Sequence, residues 1–103
     1  MAEIDVTHDP ERRRYEARLA GEVAGFAEYI RTDELIIFTH TEVDPQHEGK
    51  GVGSAIAAFA LEDVRAGGVH RVLPICPFIK AWIARHPDYH SLQYGVPAST
   101  AKD

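Results

Sequence analysis

The sequence predicts an α/β (α+β) fold: a mostly antiparallel sheet with one parallel strand pair and two main helices. Three observations carry that expectation. Residues 14–19 alternate polar and apolar without a break, with Tyr15, Ala17 and Leu19 on one side and Arg14, Glu16 and Arg18 on the other, as a half-exposed antiparallel strand does. Val52, Ile56, Phe59, Ala60 and Val64 recur at helical spacing. That helical stretch separates two apolar runs, Leu35 to Val43 and Val69 to Cys76, and a single helical crossover makes such strands parallel neighbours.

Each element follows in order. A short strand, Ile4 to His8, precedes the charged turn Asp9-Pro10-Glu11-Arg12-Arg13. The strand 14–19 is followed by the turn Ala20-Gly21-Glu22 and a second strand, Val23 to Ile30, which together make a hairpin. Arg31-Thr32-Asp33 turns the chain again. The run from Leu35 is apolar on both faces at first, then crowds Thr39, His40, Thr41 and Glu42 at its C-terminal end, where ligands sit in sheets of this kind. A helix over Ser54 to Ala66 stops at Gly67-Gly68. In the strand that follows, Pro74 lacks an N–H and cannot complete a regular ladder, so the two parallel strands part near their ends. Pro77 suits the first turn of a second helix, Phe78 to His86, which Pro87 ends. The 103 residues fit one domain, expected over 1–94, with 95–103 a small, polar, disordered tail.

Residues 43–54, Val-Asp-Pro-Gln-His-Glu-Gly-Lys-Gly-Val-Gly-Ser, place Gly49, Gly51 and Gly53 at every second position between a strand and a helix. Glycines let the backbone approach a ligand closely, and the free N–H groups opening a helix attract anions. The segment is therefore expected to hold a phosphorylated cofactor. Its spacing matches neither common nucleotide motif. The Walker loop needs four residues between its first glycine and Gly-Lys-Ser/Thr, and no stretch provides them. Gly-x-Gly-x-x-Gly fails as well, because the last position falls on Ser54 or Ile56.

Charge and composition narrow the class further. Eleven Lys and Arg against 16 Asp and Glu give a formal charge of −5, so the electrostatic term behind general nucleic-acid binding is absent. An acidic surface suits a positively charged acceptor such as an amine, and it equally suits any soluble protein. No run approaches the roughly 20 apolar residues that span a bilayer, and the N-terminus lacks a basic segment followed by an apolar one. A cytoplasmic location without membrane or nucleic-acid partners is expected. One cysteine cannot form an internal disulfide, and the six histidines show no metal-binding spacing, so no metal is expected.

The loop Gly-Lys-Gly-Val-Gly preceded by Val-Asp-Pro resembles the pyrophosphate loop of the GNAT N-acetyltransferase superfamily. A short GNAT-like subfamily is closer still. Its run of motifs is matched by Thr39-His40-Thr41-Glu42-Val43, Gly49 to Gly53, Pro74-Ile75-Cys76-Pro77-Phe78 and His86-Pro87-Asp88-Tyr89. The resemblance covers about Leu35 to His86. It implies a truncated GNAT-like fold with acetyl-CoA as cofactor, bound around the parallel strand pair. Backbone groups around Thr41 to Val43 would hold pantetheine, and Glu48, Gly49, Lys50, Gly51, Val52, Gly53 and Ser54 would face the pyrophosphate. Glu48 stands where the superfamily has Gln or Arg, and a carboxylate there repels phosphate unless it points outward or Lys50 offsets it. The second helix lacks the tyrosine that many members use to protonate the departing thiolate; Trp82 and Ile83 occupy the nearest positions. The chain is also too short for the helices and strands that build the acceptor pocket in longer members, which implies an open acceptor site completed by a partner protein.

Acetyl transfer to an amine needs a proton acceptor, a donor for the oxyanion and a proton for the thiolate. His40 and Glu42 share a face of one strand and pair as a proton acceptor, or simply form a polar strand end. Cys76 lies where a strand meets a helix, where unpaired N–H groups favour a thiolate. It reads either as a nucleophile or as a small buried residue. His86 and Tyr89 read as cofactor contacts or as a helix stop whose Tyr packs on the core. Trp82, Phe78 and Phe59 read as core, and Arg12-Arg13-Arg14 as a solvated turn or a 3′-phosphate contact. The leading expectation is an acetyl-CoA-dependent N-acetyltransferase acting on a small-molecule amine or an exposed protein lysine. The alternatives are a non-catalytic CoA or acyl-CoA binding module and a small interaction domain whose glycine loop is only a turn.

Overall fold

The computed structural model describes residues 3–95; the expected tail lies almost wholly outside them. Five strands, β1 (Ile4–Asp9), β2 (Arg14–Leu19), β3 (Glu22–Arg31), β4 (Leu35–Val43) and β5 (Arg71–Pro74), form one sheet in sequential order. The first three pairings are antiparallel, and β4 with β5 is parallel. Helix α1 (Val52–Gly67) makes the crossover between β4 and β5, and α2 (Pro77–Ala84) follows β5. No helix of the described residues is long and apolar enough to cross a membrane.

Local chemistry sets these limits. Ala20 and Gly21 both take positive φ, 54° and 84°, the two-residue turn whose twist matches a hairpin, so β3 starts at Glu22 rather than Val23. Gly51 in the left-handed region caps α1, which begins at Val52, two residues before the expected Ser54. Gly68, also left-handed, closes it. The last strand is shorter than expected. The Ile75 and Cys76 N–H groups both donate to the Phe38 carbonyl, so the chain turns off the ladder directly after Pro74. Helix α2 likewise ends at Ala84, two residues early: His86 precedes Pro87, a position that disfavours helical backbone, and a 3-10 turn over Pro87–Leu92 follows.

Both helices pack on one face of the sheet. Tyr15, Ala17, Leu19, Ala27, Tyr29, Ile36, Phe38 and Val72 face Ile56, Ala57, Ala60, Leu61 and Val64 of α1 and Ile79, Trp82 and Ile83 of α2 in one continuous core. Polar groups pin the layers. The Tyr15 hydroxyl donates to Asp63 of α1 at 2.7 Å, and His8 stacks on the Tyr15 ring at 4.3 Å and meets the Tyr29 hydroxyl at 2.5 Å. Burial and the Asp63 hydrogen bond push the Tyr15 phenol far above its ordinary pKa, and burial raises that of Tyr29.

The other face carries Arg14, Glu16 and Arg18, the cross-strand pair Phe26 and Glu42, and the pair Glu28 and His40. Glu16 departs from expectation. It sits on this outer face yet is only 4 % exposed, because Arg14 and Arg18 fold over it and donate to its carboxylate at 2.8 and 2.9 Å.

Candidate cofactor cleft

The cleft begins where the parallel ladder ends. β5 pairs with β4 only from Leu35 to Phe38. At that point β4 carries an extra residue, Thr39, opposite the Glu28 to Tyr29 step of β3, and such bulges bend a strand and end pairing. Beyond it β4 runs on to Val43, paired with β3 alone. The Asp44 N–H donates to Ala24 across β3 at 2.8 Å. Backbone groups of an antiparallel strand alternate in direction, so those of His40 and Glu42 face β3 and those of Thr41 and Val43 face the vacated edge. The two positions expected to hold pantetheine are thus the two with outward-facing backbone groups.

At the end of that edge lies the glycine loop. Asp44 caps a 3-10 turn, Pro45–His47, by accepting from the Gln46 N–H. Gly49 and Gly51 then take φ of 81° and 83°, conformations costing a residue with a Cβ about 1–2 kcal/mol. The first backbone bond into α1 runs from Ala55 to the Gly51 carbonyl, which leaves the Val52, Gly53 and Ser54 N–H groups ahead of the ladder, at the positive end of the helix dipole. They border a depression of about 330 Å³ shared by Val43, His47, Glu48, the three loop glycines and Phe78. Gly53 fits a different need from its neighbours. It is helical, and a Cβ on it would lie 2.7 Å from the Phe78 ring. The loop thus has the form of a backbone cradle for phosphate, which fits the diphosphate of a coenzyme A. Glu48 does line the depression, while the Lys50 ammonium lies 3.4 Å from His47 Nδ1 and does not.

The candidate chemical groups divide between the two faces of β4. His40 Nε2 lies 3.1 Å from Glu42 Oε1 on the open face, with both side chains more than half exposed. Cys76 caps α2 on the helix side and is 3 % exposed. Its thiol donates to the Thr41 hydroxyl at 3.2 Å. The structure therefore brings His40 and Glu42 together, brings Cys76 to Thr41, and places β4 between the two pairs.

Periodicity misassigns Phe78 and Phe59. Both are expected in the core with Trp82, but they are 36 % and 40 % exposed and only Trp82 is buried. Phe78 falls in the first turn of α2, where it reaches across to Gly53. The signal available was its place directly after Cys76-Pro77, at a strand-to-helix turn. His86 and Tyr89 both make contacts within the fold. His86 stacks on Trp82 at 3.6 Å and bonds its backbone carbonyl, and the Tyr89 hydroxyl donates to Glu62 at 2.7 Å beneath the Arg65 guanidinium. The Glu62 bond raises the Tyr89 pKa, and Arg65 lowers that of Glu62. Arg12 and Arg14 both lean on Glu16.

The sequence pattern of the GCN5-related N-acetyl-transferase family matches residues 14–92. The fold is similar to a crystal structure of ribosomal-protein-alanine N-acetyltransferase from Brucella melitensis biovar Abortus 2308, at 18% identity and a TM-score of 0.59, over 71% of this chain and 59% of that one. A nourseothricin acetyltransferase matches at 23% identity and a TM-score of 0.46, over 69% of this chain and 58% of that one. The chain thus spans about three-fifths of the length of each. No curated protein matches the sequence.

Proposed function

Since the chain belongs to the GCN5-related N-acetyltransferase family, we propose that it binds acetyl-CoA along the vacated edge of β4 and transfers the acetyl group to a small-molecule amine or an exposed protein lysine. The observation that carries this reading is the parting of β5 from β4 directly beside a glycine-opened helix N-terminus. Thr41 and Val43 supply backbone groups for the pantetheine amides, and the N–H groups of residues 52–54 face the diphosphate. Bound acetyl-CoA supplies an activated thioester carbonyl. An amine approaching over the open sheet face meets His40 and Glu42, which hold the proton that its ammonium form must lose before nitrogen can attack. As the C–N bond forms and the C–S bond breaks, one proton leaves the amine and one ends on sulfur. Helix α2 offers no phenol for that second proton, since it contains no tyrosine and holds Trp82 and Ile83 at the nearest positions.

A second reading, a CoA-binding module without turnover, draws on that last observation and on the uncovered acceptor face. Calorimetric titration with acetyl-CoA tests both readings, and an absence of binding removes them together. CoA release measured with a panel of amines separates them: the transferase releases CoA above the uncatalysed background, and the module does not.

A further inference from the structure

A second concavity adjoins the proposed cleft on the open face. It measures about 170 Å³ and is lined by residues of β3, including Val23 and Phe26, and by Glu42, Asp44 and Pro45. The fold makes it. Ala17 pairs with Gly25 but Arg18 pairs with Val23, so Ala24 is an extra residue in β3, and such a bulge bends the strand. Val23, Phe26 and Pro45 give it apolar walls, and Val23 is exposed, at 39 %. The Phe26 ring already takes a cation, the Arg14 guanidinium 4.7 Å from its centre. Two carboxylates complete the lining. Glu42 Oε1 engages His40, and Asp44 Oδ1 accepts from the Gln46 N–H.

Alternation along β4 ties this concavity to the cleft. Thr41 and Val43 turn their backbone groups to the vacated edge, while the Glu42 side chain between them reaches the concavity. A ligand here therefore lies one strand width from the edge along which the pantetheine arm is proposed to bind. The carboxylates stand two residues apart, about 7 Å of chain, comparable with the nitrogen spacing of a four-carbon diamine. A methylene chain matches the apolar walls, and an ammonium at each end matches the two acids.

Resting on the transferase reading, we infer that Phe26, Glu42 and Asp44 form the acceptor subsite and select a small aliphatic diamine. Glu42, with His40, faces the nitrogen to be acetylated. Asp44 holds the distal ammonium, and Phe26 packs on the chain between them. A monoamine of the same length lacks the distal contact.

The full-length protein with acetyl-CoA is assayed for kcat/KM on 1,4-diaminobutane and on 1-aminobutane at equal ionic strength. The diamine is expected to be favoured roughly tenfold, the size of one charge-assisted hydrogen bond. Asp44→Asn retains a capping oxygen for Gln46 and should reduce that ratio to near one. Equal rates in the native protein, or an unchanged ratio in the variant, overturn the inference and leave the transferase reading intact. Should no turnover be seen, a ¹H–¹⁵N NMR titration of the protein alone with 1,4-diaminobutane still decides. Saturable shifts at Phe26, Glu42 and Asp44 that vanish in Asp44→Asn support the subsite, and their absence from the native protein overturns it.

Discussion

The Cys76 thiol bonds the Thr41 hydroxyl at 3.2 Å, joining the N-cap of α2 to β4 three residues past the last rung of the β4–β5 ladder. A sulfur so placed and 3 % exposed meets reagents slowly, whatever the helix N-terminus does for its thiolate. We expect iodoacetamide to label Cys76 at least roughly tenfold more slowly than a free cysteine. Fast labelling that acetyl-CoA suppresses would instead assign it the covalent role that the sequence leaves open.

Gly53→Ala separates two effects of one methyl group. Alanine gains about 1 kcal/mol of helix propensity over glycine, whereas overpacking costs about 1–3 kcal/mol. The obstructed group is the end of the Phe78 ring, which is 36 % exposed and free to swing. Stability should therefore change little, while acetyl-CoA affinity falls because the ring shifts within the depression. Adding Phe78→Leu should recover most of the affinity, as read by calorimetry.

Glu48→Gln tests whether the loop holds phosphate by backbone alone. The carboxylate lines the depression, and its charge opposes that of a diphosphate. Affinity for acetyl-CoA should rise or stay level, with the gain largest at low ionic strength. A large loss would show that Glu48 itself contacts the cofactor.

Alkaline stability follows from Tyr15. Its phenol is held neutral in the fold well above its ordinary value of 10.0. The contribution is complete below about pH 10 and declines above it, as the unfolded chain ionises and the folded one does not. The slope is at most about 1.4 kcal/mol per pH unit for one tyrosine. Tyr15→Phe should cost about 1 kcal/mol near neutrality, through the lost Asp63 bond, and flatten the decline above pH 10. Tyr29, raised by the same burial, keeps part of the slope. Denaturant unfolding from pH 8 to 11 reads both effects.

Strands β2 and β4 were legible in the sequence to the residue, because alternation in one and a long apolar run in the other state their own limits. The ends of β5 and α2 were not. Each depends on where a proline meets a partner: Pro74 against the Phe38 carbonyl, and Pro87 behind His86. Glu16 read as a solvent-facing residue because alternation reports the side of a strand, not what neighbouring arginines cover. Phe78 read as core because helical spacing does not show which turn of a helix faces a loop.

The sequence by itself determined the family pattern, the parallel strand pair and a glycine loop that matches neither the Walker nor the dinucleotide spacing. These are local or periodic properties, written in spacing and residue type. Only the tertiary structure decided that Cys76 lies on the opposite side of β4 from His40 and Glu42, that Lys50 does not line the depression, and that a concavity opens beside the Ala24 bulge. Those relations depend on strand register and on the point where a ladder stops, and both are settled by packing between segments distant in the chain.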